Sequence, residues 1–262
     1  MINKLTPRFV ERVWGSTKLS PYFPDSSSKI GEVWFTPGAT YPVLVKFIFT
    51  SQRLSVQVHP DDAYAQRHEQ SSGKSEMWHI LDAQPGAAIA IGFREQVSPD
   101  RLIKAVDDGS IEELLNWVPV APGQTFFTPA GVVHAIGAGI TLCEIQQNSD
   151  ITYRLFDYGR GRELHIAKAL DVVESRPYDA VRQLPATCEH FAMEMISITS
   201  GETANSLADG LLVALAGAGT VGGRPFKPGD VWQVVNGGAG SSEFEIASDN
   251  GAQLLKVTCL GF

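Results

Sequence analysis

Gln57, His59, Glu76 and His134 give one chain an amide, two imidazoles and a carboxylate, the donor types of a single divalent metal site. A metal held by such donors with one position open can stabilise an oxyanion as it develops on a substrate. The first pair lies in Leu54-Ser55-Val56-Gln57-Val58-His59. Side chains alternate faces there with period two, so Ser55, Gln57 and His59 point one way and Leu54, Val56 and Val58 the other. In an ordinary half-buried strand the polar face would simply meet water. Glu76 follows the turn-like Ser71-Ser72-Gly73 and opens the apolar run Met77-Trp78-His79-Ile80-Leu81, which groups Lys74, Glu76 and Trp78 on one face. His79 is out of phase and is expected to be a packed or surface residue, not a ligand.

His134 closes the most specific spacing in the chain, G-x5-P-x-G-x2-H, on Gly123, Pro129, Gly131 and His134. This resembles the second signature of the cupin superfamily, in which glycines and proline shape a tight turn that aims one histidine into a small β-barrel. Ala138 departs from it, standing where an asparagine is usual. The first cupin signature, H-x-H with a nearby glutamate, is altered more deeply: Gln57 replaces the first histidine, and Glu76 comes seventeen residues after His59. The pattern of Q-x-H, a later K-x-E and a distant histidine resembles the type I phosphomannose isomerases in their short bacterial form. Further markers are Val13-Trp14-Gly15, Ile30-Gly31-Glu32-Val33-Trp34, Gly73-Lys74-Ser75-Glu76-Met77-Trp78 and Asp150-Ile151-Thr152-Tyr153-Arg154 with the residues after it.

The resemblance implies an aldose-ketose isomerase that interconverts mannose 6-phosphate and fructose 6-phosphate through an enediol, with one Zn²⁺ on Gln57, His59, Glu76 and His134. The donor set itself would also accept Mn²⁺, Fe²⁺ or Co²⁺. An essential arginine carries over onto Arg154 and an acidic residue onto Asp150. Alternation over Asp150, Thr152 and Arg154 puts the three on one face. The proton-shuttling base stays open between Lys74, Glu76, Asp150 and a water on the metal. A sugar phosphate needs local positive charge, for which Lys74, Arg154, Arg160, Arg162 and Lys168 are available. Arg160 and Arg162, beyond the Asp157-Tyr158-Gly159 turn, suit a substrate-binding rim, and Lys168 alone reads as a solvated charge. Two rivals are a metal cupin oxygenase, which usually presents three histidines, and a non-catalytic sugar-binding cupin, which has no need of Lys74, Asp150 and Arg154 around the metal.

The elements that must position these groups read as all-β: two cupin-like jelly-roll barrels with short helical insertions. Short strand-like runs at 43–49, 54–59, 77–81, 87–91, 124–128 and 141–146 are separated by Gly, Pro, Ser and Asp clusters. Ser98-Pro99 can start a helix with Leu102, Ile103 and Val106 as its apolar stripe, and Ser110 with Glu113 matches a capping box ahead of Ile111, Leu114 and Leu115. The expected division is a metal-binding catalytic domain over 1–185, with its helical insertion near 98–117, and a degenerate cupin-like domain over 186–262. In the latter the signature frame puts Val235, Gly237 and Gly240 at the proline, glycine and histidine positions, so no metal is expected there.

The 262 residues, 44% hydrophobic and 19% charged, suit a globular enzyme, and a net charge of -8 argues against nucleic acid as a partner. No apolar run approaches the roughly 20 residues needed to span a bilayer, and the N-terminus lacks a signal-like stretch. Cys143, Cys188 and Cys259 have no C-x-x-C spacing. The expectation is a cytoplasmic enzyme with a small sugar phosphate as its partner, without membrane association, and with a homodimer admitted as its assembly.

Overall fold

In the computed structural model, which describes residues 1–206, 209–235 and 244–260, the strand Val43–Phe49 is buried along its whole length. That is unusual for an antiparallel strand, which commonly keeps one face wet. Its two faces serve two different compartments. Val43, Val45, Phe47 and Phe49 pack with Val213, Val231, Leu255 and Val257 of the C-terminal portion, whereas Ile48 packs with Trp78, Ile80 and Ile91 inside the first barrel.

The first barrel closes between two antiparallel sheets. One runs in the order Val181–Arg182, Thr125–Thr128, Glu76–Ala83, Ile140–Gln147, Val43–Phe49, Ile30–Phe35 and Arg8–Ser16. The other runs Tyr153–Phe156, Val56–Val58, His134–Ile136, Ala88–Phe93 and Leu115–Pro119. Their non-sequential order is that of a jelly roll, which brings distant segments into register. Helices cover the outer face of the second sheet, where Leu102, Ala105, Val106, Ile111 and Ala169 meet Val56, Val58, Val133 and Leu155.

The second barrel pairs a six-stranded sheet, built around Gly210–Gly217 and Ala252–Cys259, with a four-stranded one around Phe244–Ala247 and Gly219–Val221. Ile2–Lys4, from the start of the chain, is the edge strand of the six-stranded sheet and pairs with Val231–Val234. The N-terminus thus reaches across the sequence division expected at 185/186. Of the degenerate signature positions, Val235 is half-exposed at 37%, while Gly237 and Gly240 lie outside the described residues.

Two local expectations are corrected. The helix Pro99–Asp108 starts as anticipated, with Ser98 capping Arg101 N–H, but its buried side chains are Leu102, Ala105 and Val106; Ile103 is 44% exposed, one residue off the stripe. Ser110 caps nothing with its hydroxyl, which instead donates to Asp108 Oδ1, so the short helix Ile111–Leu114 lacks the reciprocal box.

Candidate active site

The two sheets face each other over a cavity of about 400 Å³. Cross-strand register assembles its walls. On one sheet Lys46 pairs with Glu144, Glu144 with Trp78, and Glu76 with Gln146. On the other, Gln57 lies between His134 and Arg154.

His59, Glu76 and His134 converge at the base, 1%, 1% and 0% exposed, with one candidate ligand atom from each lying within 4.8 Å of the others. The signature turn explains part of this. Gly131 adopts φ +85°, a left-handed conformation that a side chain would strain, and its N–H donates to the His59 carbonyl at 2.8 Å, tying the turn before His134 to the strand end that carries His59. Each imidazole is oriented from behind: His59 Nδ1–H donates to the Ile151 carbonyl at 2.8 Å and His134 Nδ1–H to the Val132 carbonyl at 2.9 Å. A carbonyl can only accept, so both Nε2 atoms carry lone pairs, and these face inward.

That orientation leaves an electrostatic problem in the protein alone. His59 Nε2 and Glu76 Oε1 stand 3.2 Å apart, both buried without a hydrogen-bond partner. Distance alone would make them an ion pair. Burial first, and then Lys74, push the His59 pKa down to about 3, however, so the imidazole is neutral and two acceptors confront each other. Burial likewise lowers His134. Burial opposes the Glu76 carboxylate, but the adjacent Lys74 ammonium outweighs it and holds its pKa well below the usual range. Orphaned, deprotonated nitrogen and oxygen donors aimed at one point fit a divalent cation. Gln57 adds a fourth group, its amide nitrogen 3.3 Å from His134 Nε2 and its oxygen taking a hydrogen bond from Ser55. A half-turn of the amide presents oxygen to the same point.

Lys74, 4% exposed, lies with Nζ 3.2 Å from Glu76 Oε1. Asp150, Thr152, Arg154 and Arg162 line the same cavity. Arg154 Nε is buried without a partner, and its pKa is lowered by burial first and then by Arg162. Arg162 is braced by two hydrogen bonds to Asp157. Arg160 does not reach the cavity wall: it donates to the Arg53 carbonyl at 2.6 Å and lies over the Tyr158 ring. Lys168 pairs with Glu69 on the surface, and His79 is buried on the opposite face of its strand against Thr125 Oγ1 at 2.9 Å.

Several charged groups of the cavity were not singled out from the sequence. Lys46 and Glu144 form a buried pair at 3.2 Å, and Glu32 stands 4.0 Å from Lys46 and 2.6 Å from Arg12. Trp78 Nε1–H is shared between Glu76 Oε2 and Glu144 Oε2, both at 3.0 Å. Burial, and then Glu76, raise the Glu144 pKa to about 7, while its neighbouring carboxylates keep the Lys46 ammonium charged against burial.

No family model matches the chain. Mannose-6-phosphate isomerase ManA of Bacillus subtilis is 34% identical over an alignment that spans 86% of this chain and 90% of that protein. The chain belongs to the mannose-6-phosphate isomerase family. A mannose-6-phosphate isomerase of Streptococcus mutans is 43% identical over 141 residues, 52% of this chain and 44% of its own. A crystal structure of the mannose 6-phosphate isomerase from Bacillus subtilis matches with a TM-score of 0.82 at 26% identity, covering 97% of this isomerase and 98% of that one. The two-barrel architecture of this isomerase is thus that of its family, and its His59, Glu76 and His134 form a cluster in the first barrel whose geometry is able to hold a metal ion.

Proposed function

We propose that the enzyme interconverts mannose 6-phosphate and fructose 6-phosphate by moving a proton between C1 and C2 through an enediol. The observation that carries this reading is the convergence of two imidazole lone pairs and a carboxylate on one point of a cavity that also holds Lys74, Asp150 and Arg154. Gln57, His59, Glu76 and His134 would hold one Zn²⁺, which when bound supplies Lewis-acid stabilisation for oxyanion character on the substrate. Arg154 adds a fixed guanidinium for the same developing charge. Lys74 and Asp150 are the groups we assign to proton transfer. Glu144, whose carboxyl is held near 7, can also carry a proton at working pH, where general acid-base groups are most effective. Arg162 is a phosphate-binding group at the cavity wall, and Arg160 acts on it only through their shared Asp157.

Two histidines and one carboxylate also suit a non-haem Fe²⁺ oxygenase. Gln57 as a fourth donor and the cations around the cavity favour the isomerase. A coupled assay of fructose 6-phosphate formation, run on chelated and zinc-reloaded enzyme beside an oxygen electrode, separates the two readings. No isomerase turnover with any divalent metal, or oxygen uptake with Fe²⁺, would overturn ours.

We further place the catalytic unit within residues 1–185 and give 186–262 a structural role. Among the described residues no helix is long and apolar enough to cross a membrane, and the three cysteines are free thiols, in keeping with a cytoplasmic enzyme.

A further inference from the structure

Arg12 is a cavity cation that the mechanism above leaves without a task, and the chain takes trouble to aim it. The ladder between Arg8–Ser16 and Ile30–Phe35 loses register after Val10 and again between Glu11 and Ser16, so this stretch bows out of regular pairing. Such irregularities re-aim side chains beside functional sites. The Arg12 N–H donates to the Lys29 carbonyl at 3.0 Å. Its stem lies across Gly31, where an added Cβ would meet Arg12 Cβ and Cγ at 2.6 Å and Trp14 Cη2 at 2.7 Å. Gly31 is therefore the groove that seats this arginine. The Arg12 side chain is 32% exposed and lines the cavity together with Arg154 and Arg162.

We propose that Arg12, with Arg162, grips the phosphoryl group of the substrate and so sets the preference for phosphorylated over free sugar; this rests on the isomerase reading above. A phosphoryl group near neutral pH carries close to two negative charges, and planar guanidinium forks match its oxygens. In a chain of net charge -8 such cations must be gathered locally. Arg12 Nη2 pairs with Glu32 Oε2 at 2.6 Å and its Nη1 donates to the Glu11 carbonyl at 3.4 Å, two contacts for a group that carries five N–H donors, so further donors remain for an anion. Glu32 is partly satisfied by Lys46 at 4.0 Å, which limits its competition with an incoming anion. Glu11, the other carboxylate on this stretch, also borders the cavity. Arg162 is already fixed by Asp157, and the electrostatic crowding of Arg154 by Arg162 and Arg12 eases when an anion enters.

The test compares wild type, Arg12→Gln, Arg12→Lys and Gly31→Ala for steady-state kinetics with mannose 6-phosphate and for inorganic-phosphate binding by calorimetry. Arg12→Gln is expected to raise KM about tenfold or more with kcat held within about threefold, and to weaken phosphate binding by a similar factor. Arg12→Lys should recover part of both losses. Gly31→Ala, which keeps the arginine but displaces its stem, should move KM in the same direction. Unchanged KM and phosphate affinity in Arg12→Gln, or a fall in kcat with KM kept, overturns the proposal. Should Arg12→Gln not fold, Arg12→Lys and Gly31→Ala decide by the same criteria. A wild type that binds phosphate through Arg12 but does not isomerise mannose 6-phosphate would instead overturn the function on which this inference rests.

Discussion

Arg154→Ala tests the division of labour in the cavity. Its strand neighbour Gln57 pairs in turn with His134, so the arginine stands one strand away from the metal site. At a separation of ~4 Å and an effective dielectric near 20, a cation and an oxyanion attract by about 4 kcal/mol, and loss of one preorganised oxyanion donor typically costs roughly 2.7 to 4 kcal/mol. A kcat loss of at least about a hundredfold follows, at ~1.4 kcal/mol per decade. The wall position also dictates a second readout. Arg154 Nε is buried with no partner, and Arg162 and Arg12 disfavour its charge, so removing the side chain relieves strain in the resting protein. The variant should melt at the same temperature or higher while losing turnover, the opposite of a structural arginine. A coupled assay of fructose 6-phosphate formation and a thermal melt on one preparation decide this. If kcat is kept and only KM rises, Arg154 binds substrate without stabilising the enediolate; if activity and melting temperature fall together, its role is structural.

The remaining predictions concern the metal cluster and its supports. His134→Ala should abolish both tight metal binding and activity, and the wild-type metal content should approach one ion per chain; a fully active, fully loaded variant would refute the ligand set. Trp78→Phe deletes the N–H shared by Glu76 and Glu144 and should weaken metal retention against a competing chelator by about 10- to 100-fold, with unaltered retention counting against it. Metal-free enzyme should lose stability on acidification. The His59 pKa falls from 6.5 to about 3 on folding, so its contribution is complete above 6.5 and is lost as the unfolded chain takes up the proton below it. His134 acts in the same direction, while Glu144, raised from 4.5 to about 7, acts in the opposite one. Melting curves from about pH 7 to about pH 5 should therefore show a falling midpoint in wild type and a steeper fall in Glu144→Gln; a flat profile in both would be inconsistent with neutral buried imidazoles.

Period-two alternation was enough to bring Ser55, Gln57 and His59 to one face and Lys74, Glu76 and Trp78 to another, because both segments are regular strands with one cavity-facing side. It could not carry across the Asp157–Arg162 turn, where Tyr158, Gly159 and Gly161 take left-handed φ values of 55°, 72° and 75°, the last of them resetting the phase between Arg160 and Arg162. Lys46 and Glu144 carry a signal in the sequence, since a lone charge inside an otherwise apolar strand is rarely buried unless paired. What no single strand discloses is the partner, since Lys46 meets Glu144 only through antiparallel register between segments almost a hundred residues apart. The pairing of Ile2–Lys4 with Val231–Val234 was hidden for the same reason.

The second barrel bears on the cavity from behind it, since among the described residues none of 186–262 lines that cavity. A strand that slips by one residue turns every side chain to the other face, and slippage is prevented where the two faces demand different chemistry. Val43–Phe49 and Ile140–Gln147 present polar or charged groups, Lys46 and Glu144, to the cavity on one face. On the other, Val45, Phe47, Cys143 and Ile145 meet Val213, Leu255 and Val257 of the second barrel. Slipping the register would bury Lys46 and Glu144 in that apolar interface, at a cost of several kcal/mol for each unpaired ion. The apolar backing therefore holds the register that sets Lys46 against Glu144 and, through Trp78, Glu144 against Glu76.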